Sequence, residues 1–227
     1  RQGLACEAGW AVTDLLVLSD TVAQLDPFAT FALVESVANE TDLPLEFHGH
    51  NDFGLATANA LAAARAGATH LSVTVLGLGE RAGNAALEEV TLGLARLSNL
   101  ATGIDTAALP ALFAEVSEAS NRPIPPGKAV AGAMAFTHES GIHVDGVLKD
   151  PATYEPFPPE LIGAERRIEM GKHSGTAAIA HKLLHHGVRA GHRRVELLRQ
   201  RIQSRAVATG GPLTDGELCR LLAETAR

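Results

Sequence analysis

The chain has 227 residues, of which 46% are hydrophobic and 20% are charged, and its formal net charge is −7. This composition supports a substantial core and argues against global disorder, while the acidic balance argues against a nucleic-acid-binding surface. No stretch reaches the roughly 18 apolar residues of a membrane span. Cys6 and Cys219 are far apart in sequence, which is typical of a reducing compartment, so we expect a cytoplasmic protein without disulfides.

The N-terminal residues 1–9 show no signal-peptide pattern and are typical of a helix end closed by Gly9. We therefore expect the sequence to start inside a domain. The first hundred residues then alternate three times between an apolar run and a helical pattern. That alternation predicts parallel strands joined by helical crossovers. The predicted strands are Leu15–Leu18, Leu43–Phe47 and Thr69–Val75.

The helices that follow these strands have recognisable boundaries. Asp26 is the predicted N-cap of the first helix, with Pro27 at its first position. An Ala-rich helix over 54–66 ends before Gly67, and a third helix is predicted over 85–97. The apolar side of the first helix is predicted to consist of Phe28, Phe31, Leu33, Val34 and Val37.

The pattern changes after residue 100. A helix is predicted over 106–119, an extended linker over 122–127 and a loop-like segment over 136–146. Further helices follow the Gly171–Gly175 segment, span about 193–207, and begin at the capping-box spacing of Thr214 and Glu217. We predict an α/β fold: either a small open sheet or the last three units of a (β/α)8 (TIM) barrel, followed by mostly helical C-terminal subdomains. The predicted domains are 1–100, 101–146 and 147–227.

His48 and His50 are the first candidates for chemistry. On a strand, residues i and i+2 point the same way, so these imidazoles should project together. Such a pair suits a divalent metal, although two hydrogen-bonded histidines at a strand end would be equally compatible with the spacing. Asn84, after the third strand, could add an amide oxygen to the metal or could simply cap the following helix.

A second group of titratable residues lies beyond the linker. His138 and His143 flank Glu139, and a general base is the better functional interpretation because histidine titrates near neutral pH. Solvated loop histidines are the alternative. His181 and His185 lack the glutamate of an H-E-x-x-H metal motif, so we expect them on the surface. Lys172 and His173 could meet an anion at the next helix start or form a solvated turn.

Four ordered motifs resemble one enzyme family. They are Asp20–Thr21, His48–Asp52, Gly77–Asn84 and the pair Phe136–Gly146 with Gly171–Gly175. This chain is similar to the metal-dependent Claisen-condensing barrel enzymes, which include homocitrate synthases, isopropylmalate synthases and hydroxymethylglutaryl-CoA lyases. Within that family it most resembles the homocitrate synthases of nitrogen fixation, with isopropylmalate synthase as the close alternative.

The resemblance implies roles for particular residues. His48, His50 and Asn84 would bind a divalent metal ion, which could be Zn, Mn, Co, Fe or, less readily, Mg. His143 would remove a proton from acetyl-CoA, assisted by Tyr154, which in the family often comes from a neighbouring subunit, and Glu139 is a further catalytic candidate. Thr21, with His50, would contact the 2-oxo acid. The family also implies a homodimer for the full-length enzyme.

The sequence departs from the family pattern at several points. The Arg-Asp-Gly-Glu motif of the family's first strand is absent, Leu76 replaces a usual Asn, and Ala23 replaces a usual Gly. We therefore expect this chain alone to be inactive. Two other hypotheses stay open: a metal-dependent barrel hydrolase, which also uses a His-x-His pair, and a non-catalytic split or degenerate fragment.

Overall fold

A computed structural model describes residues 13–225 of the chain. The predicted helix end at Gly9, and Cys6, lie outside this range. The chain divides into two compact units between residues 104 and 105. No helix within the described range is both long enough and apolar enough to cross a membrane.

The first unit is built on a parallel three-stranded sheet in the order β1-β2-β3. The strands are β1 (Leu16–Asp20), β2 (Leu45–Gly49) and β3 (His70–Ser72). The helices are α1 (Pro27–Ala38), α2 (Ala56–Arg65) and α3 (Leu87–Leu97). The predicted strand–helix alternation is thus confirmed for this unit.

Only part of the predicted apolar side of α1 is buried. Asp26 caps the helix as expected, accepting a hydrogen bond from the Ala29 amide. Val34 is fully buried and packs with Leu45 and Phe47 of β2, but three predicted core residues are exposed: Phe28, Phe31 and Leu33. The prediction was wrong for these three because the buried stripe of α1 runs through Thr30 and Val34, one turn apart.

The first strand is also less buried than predicted, since Val17 is 47% exposed. The reason is that β1 is an edge strand, paired only with β2 among the described strands. The apolar surface on this strand and on α1 is therefore uncovered within the described part of the chain.

The third strand is shorter than predicted. It ends at Ser72, and Thr74 then forms an isolated bridge with Ala86. The chain next turns through a 3₁₀ segment, Val75–Gly77, in which Leu76 has a φ of 59°. Because this turn begins at Val75 itself, the strand cannot extend to that residue.

The second unit is mostly helical. Its helices are α4 (Leu109–Ser120), α5 (Gly141–Lys149), α6 (Thr176–His185), α7 (His192–Thr209) and α8 (Asp215–Glu224). Two short parallel strands, β4 (Thr137–His138) and β5 (Arg167–Ile168), pair with each other. The predicted capping box is present in α8, where Thr214 and Glu217 exchange hydrogen bonds. Buried side chains that form the core of this unit include Val144, Met170, Ile179, Leu183, Leu198, Ile202 and Leu218.

The predicted loop over 136–146 is instead a strand and a helix. Val144 and Val147 are buried on one side of α5, but Gly141 and Gly146 weaken the helical signal in the sequence. The predicted boundary between residues 100 and 101 lies four residues before the observed division at 104/105, whereas the boundary expected between residues 146 and 147 falls inside α5.

Candidate active-site residues

The carboxyl ends of the three parallel strands bring together His48, His50 and Asn84. The two imidazole rings lie edge to face with their centroids 4.7 Å apart. Asn84 forms an antiparallel bridge with His50. The predicted projection of both histidines to one side is therefore confirmed, and the amide residue lies beside them.

The orientation of His50 is fixed by β1. Its Nδ1 lies 3.0 Å from the carbonyl oxygen of Asp20. Because a carbonyl only accepts, Nδ1 must carry the proton, which leaves Nε2 as a lone-pair donor. Metal-ligating histidines are commonly held in this way by an outer hydrogen bond.

His48 fits the same interpretation. Its Nδ1 is buried and has no hydrogen-bond partner, a state that is costly unless a ligand satisfies the atom. The pKa of His48 is lowered, first by burial and then by the neighbouring His50. A lowered pKa favours the neutral imidazole, the form that coordinates metals.

Asn84 does not cap α3, so that alternative was wrong. The N-cap of α3 is Ala86, and the Asn84 side-chain amide nitrogen donates to the Leu78 carbonyl over 3.1 Å. This bond assigns the nitrogen and leaves the Asn84 Oδ1 as an available acceptor. Gly79 is needed here, because a Cβ at that position would lie 2.5 Å from the Asn84 amide nitrogen.

Two imidazoles and an amide oxygen suit Zn, Mn, Co or Fe better than Mg. Within residues 13–225 no group of three or more His, Cys, Asp or Glu side chains could hold a metal ion. The described residues therefore fit part of a metal centre, and a carboxylate ligand is not among them.

Sequence reasoning did not predict a set of hydrogen bonds around Arg81 beside this site, here called the Arg81–Asp52 clamp. The Arg81 guanidinium forms two hydrogen bonds to Asp52, of 2.8 and 2.9 Å, and a third to the carbonyl of Thr21. The hydrogen bond from Arg81 lowers the pKa of the Asp52 carboxyl. These contacts join the loops that follow all three strands. Thr21, the predicted substrate contact, is exposed there.

In the second unit the rings of His143 and Tyr154 stack, with centroids 4.3 Å apart and an interplanar angle of 30°. Both come from the same chain, and both are exposed. Gly146 makes room for this contact, since a Cβ there would lie 2.5 Å from the Tyr154 ring. The pair is thus accessible to a substrate.

His138 is not an equivalent base. It is buried on β4, and its Nε2 lies 3.1 Å from a carboxylate oxygen of Glu155. Arg166 contacts both oxygens of that carboxylate and lowers the pKa of Glu155. No sequence spacing pointed to this cluster, because its three members lie on separate elements.

Glu139, a predicted catalytic residue near His143 in sequence, contacts the 171–175 segment. Its carboxylate accepts a hydrogen bond from the His173 backbone amide over 2.9 Å. This amide was one candidate for binding an anion, and Glu139 already supplies the negative group. His181 and His185 are exposed, as predicted.

Comparison with known proteins matches two segments of the chain. Residues 7–116 match the HMGL-like family, and residues 130–209 match the family described as homocitrate synthase post-HMGL domain-like. His48, His50 and Asn84 all lie in the first segment, and the His143–Tyr154 pair lies in the second.

Three curated relatives illustrate the range of similar proteins. The chain is 49% identical over 211 residues to 2-isopropylmalate synthase 2 of Caldanaerobacter subterraneus subsp. tengcongensis, covering 93% of this chain and 55% of that protein. It is 46% identical to homocitrate synthase 1 of Nostoc sp., covering 90% and 54%. It is 50% identical to a homocitrate synthase of Frankia alni, covering 74% and 48%. The chain thus spans about half the length of these relatives.

Proposed function

We propose that the chain is part of an HMGL-like enzyme and takes part in a metal-dependent condensation of acetyl-CoA with a 2-oxo acid. The matches of residues 7–116 to the HMGL-like family and of residues 130–209 to the homocitrate synthase post-HMGL domain-like family support this proposal. The observation that carries the proposal is the His48–His50 pair, with one imidazole oriented by Asp20 and the other left with an unpartnered buried nitrogen. The three parallel strands of the first unit would form part of a barrel. Other strands would complete that barrel and cover the exposed apolar residues of β1 and α1.

His48, His50 and Asn84 would hold the divalent metal. When bound, the metal supplies Lewis acidity that polarises the ketone of the 2-oxo acid. Thr21 lies in the adjoining loop, held by Arg81, and would contact the acid. The carboxylate ligand and further metal contacts would come from residues that the structure does not describe.

His143 would act as the general base. Its imidazole accepts a proton from the methyl group of acetyl-CoA, and the resulting enolate forms a carbon–carbon bond to the ketone carbon, whose oxygen gains a proton. Water then cleaves the thioester, which releases CoA and leaves a new carboxylate on the condensation product. Tyr154, stacked on His143, orients the base and assists the proton transfer.

The substrate we favour is 2-oxoglutarate, giving homocitrate. Val144, which follows His143 in the sequence, supports this choice over the Gln that is usual in isopropylmalate synthases. A second candidate, 2-oxoisovalerate, is favoured by the 49% identity to 2-isopropylmalate synthase 2. The nitrogen-fixation subtype and a homodimeric assembly belong to the same proposal.

A fusion protein tests the function. The part of the Nostoc homocitrate synthase that precedes its region of similarity is joined to this chain, and a second fusion uses the Caldanaerobacter relative. CoA release is then measured with 2-oxoglutarate and 2-oxoisovalerate. We expect release with 2-oxoglutarate in the first fusion and loss of at least about a hundredfold on His143→Ala. No CoA release from either fusion would contradict the condensation, and preference of both for 2-oxoisovalerate would contradict the homocitrate assignment.

A further inference from the structure

Glu155 is a buried carboxylate, 6% exposed, that the proposed chemistry does not use. Its oxygens accept hydrogen bonds of 2.6 and 2.5 Å from Arg166 and lie 3.1 Å from the Nε2 of His138. A buried ionic cluster adds little stability over an apolar core of the same size, because desolvation offsets the attraction. Its presence at this position therefore calls for another explanation.

The position of Glu155 in the chain supplies that explanation. It directly follows Tyr154, whose ring lies over α5 between His143 and Gly146. Tyr154 is 38% exposed, so burial alone does not fix its ring. The backbone here is a tight turn in which the amides of Tyr154 and Glu155 both donate to the Pro151 carbonyl, over 3.1 and 2.9 Å.

We propose that Glu155 is a positioning residue: anchored by Arg166 and His138, it holds the turn that keeps the Tyr154 ring stacked on His143. The anchor is directional, since a guanidinium fork fixes the carboxylate plane through two parallel bonds. His138 adds a third contact from β4, the strand that precedes the helix carrying His143. The Glu155 carboxylate is thus linked to Tyr154 through the adjacent backbone, and to the helix that carries His143 through His138 on β4. The inference rests on the proposed function only for its catalytic consequence.

The test uses the single tyrosine of the chain as a reporter. With ring-labelled tyrosine, NMR of the 227-residue protein gives one set of Tyr154 signals, and nuclear Overhauser contacts to the His143 imidazole measure the stacking directly. We expect Glu155→Gln, which keeps the side-chain size but removes the charge, to lose most of these contacts. Glu160→Gln is the matched control: it removes a carboxylate from the exposed surface of the same unit, near Arg166, and should leave them intact.

A second variant covers the case in which Glu155→Gln fails to fold. Arg166→Lys keeps the positive charge but loses the paired hydrogen bonds, so we expect the same loss of Tyr154–His143 contacts in a protein that still unfolds cooperatively. Unchanged contacts in a folded Glu155→Gln or Arg166→Lys protein would overturn the inference.

The fusion protein separates this inference from the proposed function. If the stacking guides catalysis, Glu155→Gln lowers kcat roughly tenfold to a hundredfold while KM changes little. Loss of the contacts with unchanged kcat would uphold the positioning role and contradict the catalytic role of the His143–Tyr154 pair.

Discussion

The Nδ1 atom of His50 lies 3.0 Å from the backbone carbonyl oxygen of Asp20, one strand away in the sheet. The carboxylate of Asp20 is itself occupied, accepting hydrogen bonds from the backbone amides of Gln24 and Leu25. The side chain of Asp20 therefore shapes the loop after β1, while its carbonyl orients His50. This contact makes His50 a preorganised donor, and it gives the first prediction.

We expect the chain to bind Co²⁺ or Zn²⁺ through His48 and His50. His50→Ala should weaken binding at least about tenfold, because one of two imidazole ligands is lost. The exposed side chains of His181 and His185, spaced i, i+4 on α6, could bind metal independently, so both residues are first changed to Ala. Isothermal titration calorimetry in that background measures the affinity.

The matched control for the metal experiment is His70→Ala, on β3 of the same sheet. His70 is exposed and contacts Thr69, so its loss should leave metal affinity unchanged. Equal affinities in the background protein and its His50→Ala variant would show that the pair is not a metal site.

The left-handed residue Ala23 gives a second prediction. Its φ is 52°, a conformation that costs a residue with a Cβ about 1 kcal/mol relative to glycine. Ala23→Gly should therefore raise the free energy of unfolding by up to about 1 kcal/mol. Ala32→Gly, the same change on the exposed side of α1, should lower it by a similar amount. Urea denaturation measures both, and a destabilised Ala23→Gly protein would refute the strain argument.

Leu76 is a second strained position, with a φ of 59°. Its backbone amide donates to the buried Glu88 over 3.0 Å, which holds the turn in place. Asparagine tolerates this conformation better than leucine, so Leu76→Asn should raise the unfolding free energy by about 1 kcal/mol. A decrease measured by urea denaturation would mean that the Leu76 side chain contributes more by packing than it costs in strain.

A fourth prediction concerns Gly141 and Gly175, whose backbones touch where the 171–175 segment meets the start of α5. A Cβ at Gly141 would lie 2.7 Å from the Gly175 Cα. Gly141→Ala should lower the melting temperature, corresponding to roughly 1–3 kcal/mol of overpacking. At Gly127 nothing lies within 4 Å, so Gly127→Ala should be nearly neutral. Equal melting temperatures for the two variants would contradict the close contact.

The Glu155 cluster predicts a pH dependence. Hydrogen bonding from Arg166 lowers the pKa of Glu155 in the folded protein, so its contribution is complete above the unfolded value of about 4.3. It is lost as pH falls through the folded pKa. Glu155→Gln should therefore cost about 2 kcal/mol at pH 7 and progressively less below about pH 4. A difference between the two proteins that does not shrink in acid would contradict this assignment.

Much of the first unit could be predicted from sequence because its signals are local. The cap at Asp26 and the i, i+2 spacing of His48 and His50 each depend on neighbouring residues. The Arg81–Asp52 clamp and the Glu155–Arg166 pair could not be predicted, since they join residues 29 and 11 positions apart with no periodicity.

The exposure of Phe28 also could not be predicted from the residues near it in sequence. Its apolar character indicates burial, but what covers a helix face depends on the elements packed against it. The helix over 141–149 was missed for a related reason: two glycines hide its pattern, yet both are required by close contacts with Gly175 and Tyr154.

The most direct test of the central claim is the metal dependence of CoA release by the fusion protein. After chelation, wild-type activity should disappear and return on addition of Mn²⁺ or Co²⁺, whereas the His48→Ala, His50→Ala double variant should stay inactive at the same metal concentration. Activity that survives chelation, or that is equal in the double variant, would contradict the role of this pair.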